Sequence, residues 1–165
     1  MAFTLTCPTT MLDKPILQSL TSTGVATAVH EPGYTVEAQD GREFMYGKFD
    51  SSGVAAVAGA PAVWAQTSGD DECIFTADVT DGGLCAIGCF LSVLTDTYFG
   101  WIQTKGFVKD APVTDGAGAD VAAADPLGAT ADSLWTKVTI GGTTPEKAVA
   151  VEASSSGVGN ICLVQ

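Results

Sequence analysis

Residues 89–106, CFLSVLTDTYFGWIQTKG, decide the fold of this chain. They hold an apolar run, a polar turn at Thr95–Thr97, and a second run rich in aromatic and β-branched residues. Apolar runs on either side of turn residues are typical of a β-hairpin. Alternation along the second run places Phe99 and Trp101 on one face and Tyr98 on the other. We therefore predict a structural hairpin here rather than an aromatic floor for a ligand.

Residues 148–163, AVAVEASSSGVGNICL, repeat the outline of residues 89–104 without a gap. Each stretch has an apolar run, a hydroxyl-rich turn, a glycine and an isoleucine two positions later. Gly159 aligns with Gly100, where we expect no room for a side chain. The aromatic residues are not repeated, so the shared feature is the scaffold. A repeated hairpin is what a duplicated or pseudo-symmetric β-barrel would produce.

The remainder of the chain also predicts strands. Residues 34–49, YTVEAQDGREFMYGKF, indicate a hairpin with Phe44 and Tyr46 on one side. Short β segments separated by Gly, Pro and Asp turns are indicated over 53–80 and 134–165, whereas the Ala/Asp/Gly-rich residues 109–133 are expected to form a loop. The sequence thus predicts an all-β fold, a small β-barrel or β-sandwich, with no long helix.

The N-terminal segment differs in composition from the rest. Between Met1 and Val29 its only charges are Asp13 and Lys14, and it shows neither helical nor alternating periodicity. We predict an extended N-terminal arm at residues 1–33, ordered by contact with a neighbour, and a single β-rich domain at 34–165. A simple mobile terminus is the alternative.

Composition excludes several partners. The 165 residues carry a net charge of −12 with a pI near 4.1, so the surface repels phosphate backbones and anionic membranes. We therefore expect no direct nucleic-acid partner and no membrane association. The first residues show no signal peptide, and the longest apolar run, 54–65, is short of the roughly 20 residues of a membrane span. We expect a protein made and used inside a cell or released by lysis.

Residues suited to catalysis or metal binding are few. Five scattered cysteines make a poor disulfide framework, and we expect them to be small buried residues in a reducing compartment. His30 is the single histidine, which gives little support to a zinc site or a Ser-His-Asp triad. The acidic stretches at 69–72 and 115–123 leave calcium open, but solvated loops are the simpler reading. We predict no catalytic residue, no cofactor and no metal site.

Three motifs together suggest a family. DGREFMYGKF, YFGWIQTKG and the closing AVAVEASSSGVGNICLV, with an apolar arm before them and an Ala/Asp/Gly-rich loop between the last two, resemble the capsid decoration, or cement, proteins of tailed bacteriophages. The resemblance covers most of residues 34–165. It implies a β-tulip-like body without catalytic residues and assembly as homotrimers. It also implies clamping of the major capsid protein at the outer surface of the virion, after synthesis in the bacterial host cytoplasm.

An arm of this kind can add a strand to a sheet edge on the capsid, where backbone hydrogen bonds supply affinity. The candidate capsid contacts are its apolar residues, Phe3, Leu5, Met11, Leu12, Ile16 and Leu17.

Two alternative functions stay open. One is another virion component, such as a tail or baseplate protein. The other is a carbohydrate-binding or hydrolytic β-domain displayed on the particle, with Trp64, Trp101 and Trp135 as its aromatic platforms; an ordinary metabolic enzyme ranks last.

Overall fold

The computed structural model describes residues 13–14, 16, 18–65, 73–82, 85–117 and 120–164. This part of the chain contains ten strands and one short helix, and no helix in it is long and apolar enough to cross a membrane. In chain order the elements are β1 (Thr35–Glu37), β2 (Glu43–Phe49), β3 (Pro61–Trp64), β4 (Ile74–Thr76), α1 (Val79–Gly82), β5 (Ala86–Phe90), β6 (Phe99–Thr114), β7 (Pro126–Ala131), β8 (Leu134–Lys137), β9 (Ala148–Ala150) and β10 (Val158–Leu163).

Strand β6, sixteen residues long, belongs to two closed rings of paired strands. The first ring runs β2-β4-β3-β5-β6 and the second runs β6-β10-β9-β7-β8. Direction cannot alternate all the way around a ring with an odd number of strands, so each ring contains a parallel pair, β2–β4 in the first and β6–β8 in the second. The prediction of an all-β barrel is confirmed.

Alternation along β2 separates the inside of the first ring from its outside. Phe44 and Tyr46 are buried on the outer face beneath β1 and the segment that precedes it. Phe49 and the partly buried Met45 face the interior of the ring. The predicted pairing of Phe44 with Tyr46 on one side is therefore observed, and both faces of this strand are covered.

The two segments that echo each other in sequence occupy corresponding places in the two rings. Residues 86–90 and 99–114 form the antiparallel pair β5–β6 in the first ring, and β9–β10 form an antiparallel pair in the second. Ile102 and Ile161, which align in sequence, are fully buried in the core of their respective rings. The registers differ by one residue, since Ile102 opposes Phe90 whereas Ile161 opposes Ala150 rather than Val149.

At each of the two aligned glycines, a side chain from the loop between the two strands packs directly against the glycine backbone. A Cβ on Gly100 would lie 2.5 Å from Leu94 Cδ2, and one on Gly159 would lie 3.2 Å from Ser154 Cβ. Leu94 and Ser154 are both buried. The absence of a side chain at these glycines lets each loop close over its own ring, as the sequence predicts for Gly100.

Strand β6 bends where it passes from one ring to the other. Gly106 has a positive φ of 93°, and a Cβ there would lie 2.8 Å from Arg42 Cγ. Beside the bend, the buried Gln103 donates from Nε2 to the carbonyl oxygens of Lys105 and Phe107, both at 3.0 Å. These bonds satisfy backbone acceptors at the point where the strand changes partners.

The buried residues form three clusters. One fills the second ring around Trp135 and extends to Val63 and Cys89 of the first ring, one fills the first ring around Phe75 and Phe90, and one lies on the outer face of the first ring around Tyr46 and Trp101. Trp135 Nε1 donates to Gly59 O at 2.8 Å, which ties the core of the second ring to a loop of the first.

The prediction of a loop over residues 109–133 is wrong at both ends. Lys109–Thr114 complete β6, and Pro126–Ala131 form β7. Ala111 and Val113 alternate inward along β6, but residues this small give a weak hydrophobic signal. Pro126 stands at the first position of its strand, where a missing N–H is tolerated.

Candidate functional site

The described part of the predicted arm lies along the outer face of the first ring. Val25 and Phe99 form an isolated antiparallel bridge, with Val25 N donating to Phe99 O at 3.0 Å and Phe99 N donating to Val25 O at 2.9 Å. Leu20 is 7% exposed and belongs to the cluster around Trp101. From residue 18 onward the segment is thus in contact with the chain's own barrel.

An aromatic cluster lies beneath this segment. Trp101 and Tyr46, from adjacent strands, have ring centroids 5.1 Å apart in an edge-to-face arrangement. His30 stacks on Tyr34 at 4.8 Å, and its ring meets the edges of Tyr46 and Trp101 at 5.3 and 5.4 Å. Burial lowers the pKa of His30, which favours the neutral imidazole in this apolar setting.

Gln18 connects the segment to the cluster through polar contacts. Its Oε1 accepts a hydrogen bond from Tyr46 Oη at 3.1 Å, and its Nε2 donates to Phe99 O at 3.2 Å. Tyr46 Oη also accepts from Val29 N at 3.3 Å. Burial raises the pKa of Tyr46, so the phenol stays protonated and able to donate to Gln18. Trp101 Nε1 is buried without a hydrogen-bond acceptor among the described residues.

The chain reaches this face from the outer edge of β1, the terminal strand in the sheet order. Asp13 N donates to Glu37 O at 2.8 Å, and Asp13 Oδ1 accepts from Glu37 N at 2.7 Å. Lys14 Nζ donates to Thr35 O at 3.0 Å and lies 5.6 Å from the centroid of the Tyr34 ring. Residues 13 and 14 therefore lie along the outer edge of β1.

Of the candidate capsid contacts, Ile16 alone lies within the described residues. It is partly buried against the aromatic cluster of its own chain. The others, Phe3, Leu5, Met11, Leu12 and Leu17, lie outside the described residues.

One described thiol, Cys89, and one described carboxylate, Asp120, are engaged in the structure of the barrel. Cys89 is completely buried, and burial raises its pKa to about 12, which keeps it from acting as a thiolate. Asp120 Oδ1 accepts from Ser154 Oγ and from Gly157 N, both at 3.1 Å, and so closes a turn. Within the described ranges no group of three or more His, Cys, Asp and Glu side chains is placed to hold a metal ion. The acidic stretch at 69–72 lies outside those ranges.

The three tryptophans differ in access to solvent. Trp64 is 40% exposed, whereas Trp101 and Trp135 are 1% and 0% exposed. A sugar ring stacks on an open aromatic face, so Trp101 and Trp135 cannot serve as glycan platforms. Trp64 is the one tryptophan that leaves the carbohydrate alternative open.

Sequence reasoning missed an apolar surface on the outside of the second ring. Phe107, Val151 and Val158 are 48%, 51% and 43% exposed and lie on or next to β6, β9 and β10. The available signal was the closing run VGNICLV, which is apolar at both alternating sets of positions.

Comparisons with protein-family models, with curated proteins and with solved structures found no match.

Proposed function

We propose that this protein is a structural, non-enzymatic component of a tailed-phage virion that binds the outside of the assembled head. The observation that carries the proposal is the position of Asp13, which is hydrogen-bonded to both Glu37 N and Glu37 O at the outer edge of β1. In this proposal the apolar residues that precede Asp13 leave the body at that edge and grip a neighbour. The motif resemblance to capsid decoration proteins supports the same role.

In this proposal residues 1–12 are the gripping element. Phe3, Leu5, Met11 and Leu12 enter apolar grooves on the major capsid protein, and the intervening backbone pairs with a sheet edge there. Leu17 is a further candidate contact, and Ile16, which packs against the aromatic cluster of its own barrel, joins the arm to the body. The bridge between Val25 and Phe99 then joins the arm to β6, the strand common to both rings, so that a load on the arm reaches the whole barrel.

Binding that occurs only on the assembled shell stabilises the shell by mass action. A homotrimer at three-fold positions of the capsid would hold three arms on neighbouring subunits, and linked binding of several arms raises the effective affinity. The net charge of −12 suits an outer surface without contact to the packaged genome. Synthesis in the host cytoplasm fits the four described cysteines, which form no disulfide with one another.

Cosedimentation with emptied phage heads tests the proposal. We expect the full chain to sediment with heads and to stay in solution with purified tails. Binding to tails alone would favour the tail or baseplate alternative. Binding to a glycan array that is lost in Trp64→Ala would favour the carbohydrate-binding alternative.

A further inference from the structure

The outer face of the second ring carries apolar side chains where a water-facing sheet carries polar ones. Along β10 the inward positions Ile161 and Leu163 are 0% and 2% exposed. The outward positions are again mostly apolar: Val158, Cys162 and, directly after the strand, Val164. A strand that is apolar on both faces is typical of a sheet covered on both sides.

A continuous apolar row crosses four strands of this face. Cys162 is the register partner of Phe107 on β6 and of Val149 on β9, and Val149 is the register partner of Pro126 on β7. Directly opposed residues of antiparallel strands point to the same face, so Phe107, Cys162, Val149 and Pro126 form one row. We call these four residues the apolar row.

Next to the apolar row, at the level of Asn160, opposite charges lie on the two sides of β10. Asn160 lies on β10 itself, with its carbonyl oxygen accepting from Val151 N at 2.8 Å and its Nδ2 donating to Glu152 Oε1 at 2.5 Å. On the β6 side is the exposed Lys109, whose Nζ lies 3.4 Å from Asp110 Oδ2. Lys109 and Glu152 thus flank β10 at about the same level along the strand.

We propose that this face binds a second copy of the chain, sheet against sheet, about a two-fold axis parallel to β10. This rotation places the β6 side of each copy opposite the β9 side of the other copy. Phe107 of each copy then packs on Val149 of the other, and Lys109 of each copy meets Glu152 of the other. Two chains of charge −12 repel each other in general, so association requires a face like this one, with an apolar centre and complementary charges.

This two-fold contact is independent of the proposed capsid role. It differs from the contacts that close a trimer, and it would pair free copies or join two trimers. The experiment uses the free protein without heads, so a negative result leaves the capsid proposal standing.

The first test is the mass of the full chain in solution by analytical ultracentrifugation over a range of concentrations. We expect Phe107→Lys to halve the mass of the assembly, because a charged group enters the centre of the contact. The matched control is Ile140→Lys, which alters a residue that is 76% exposed at a turn and should leave the mass unchanged. A monomer at all concentrations, or a mass that Phe107→Lys does not change, overturns the proposal.

The second test is a charge exchange. Lys109→Glu and Glu152→Lys should each raise the dissociation constant about tenfold, since the two-fold axis counts each ion pair twice. The double variant should restore the affinity of the parent chain. Failure of the double variant to restore the affinity overturns the two-fold arrangement.

Residues 1–12 of the same chain are the alternative occupant of this face. If the chain dimerises only after deletion of residues 2–12, these residues cover the face in the full chain, and the proposal is overturned.

Discussion

Val25 and Phe99 exchange both of their backbone hydrogen bonds, at 3.0 and 2.9 Å, and so fasten the N-terminal segment to the strand shared by the two rings. The proposed function gives the segment before residue 13 a different role from the segment that begins at residue 18. The segment from residue 18 onward completes the barrel surface, and the proposed function assigns the residues before Asp13 to binding.

The first prediction separates these two parts. Deletion of residues 2–12 should leave the melting temperature nearly unchanged, because every described contact of Gln18, Leu20 and Val25 remains. The same deletion should abolish binding to emptied heads in a cosedimentation assay. Deletion of residues 2–26 is the contrasting variant and should lower the melting temperature. Unchanged head occupancy after removal of residues 2–12 would contradict the gripping role of the arm.

The second prediction concerns Gln18. Gln18→Ala should lower the free energy of unfolding by about 1–3 kcal/mol, because Tyr46 Oη and Phe99 O each lose a hydrogen-bond partner in a largely buried setting. Urea unfolding monitored by tryptophan fluorescence measures the change. Ser19→Ala, at an exposed neighbouring position, is the control and should have little effect. Equal stability of the two variants would show that the segment is held by its apolar contacts alone.

Local patterns predicted much of the fold, and the reasons are visible in particular residues. The hairpin tip at Thr95–Thr97 is observed, with Tyr98 N donating to Thr95 O at 3.1 Å and a positive φ of 66° at Thr97. Phe99 and Trp101 share a face because alternation is a property of any strand. These features depend on neighbours in sequence.

Features that depend on distant residues were not predictable from the sequence. The closure of two rings on β6 requires the parallel pairs β2–β4 and β6–β8, whose partners are far apart in the chain. The burial of Gln18 follows from Tyr46, a residue 28 positions away. The apolar row likewise arises only when β6, β7, β9 and β10 are brought side by side.

The third prediction concerns the close approach at Gly100. Gly100→Ala should cost about 1–3 kcal/mol of unfolding free energy, since the new Cβ would lie 2.5 Å from Leu94 Cδ2 in a packed core. In a Leu94→Ala background the same change should be close to neutral, because the conflicting methyl group is gone. Chemical denaturation of the four proteins of this cycle measures the coupling. Additive effects would contradict the assigned contact.

The fourth prediction is a pH dependence. The hydrogen bond from Ser51 N to Asp96 Oδ1, at 2.8 Å, lowers the pKa of Asp96. A carboxyl whose pKa is lower in the folded state contributes stability above its unfolded pKa of about 3.9, and this contribution is lost as the pH falls through the folded value. Asp96→Asn should therefore lower the free energy of unfolding at pH 6. The difference in this free energy between the variant and the parent chain should become smaller toward pH 3.

Urea unfolding at the two pH values measures this difference. The matched control is Glu146→Gln, which removes one exposed carboxylate in a different loop and should not show the same narrowing. If the difference in unfolding free energy between Asp96→Asn and the parent chain stays constant from pH 6 to pH 3, the ionised Asp96 side chain does not contribute in the way proposed.

The fifth prediction ranks the thiols by reactivity. Cys85 is exposed, whereas Cys89 is fully buried with its pKa raised to about 12 by burial. Only the thiolate reacts quickly with an alkylating agent, so Cys85 should be labelled by iodoacetamide at pH 8 and Cys89 should stay unlabelled in the folded protein. Peptide mass spectrometry before and after addition of urea measures both sites. Cys89 is enclosed between the two rings, so a reagent reaches it only when β5 separates from β6. Labelling of Cys89 as fast as Cys85 in the absence of urea would therefore contradict the packing described around Cys89.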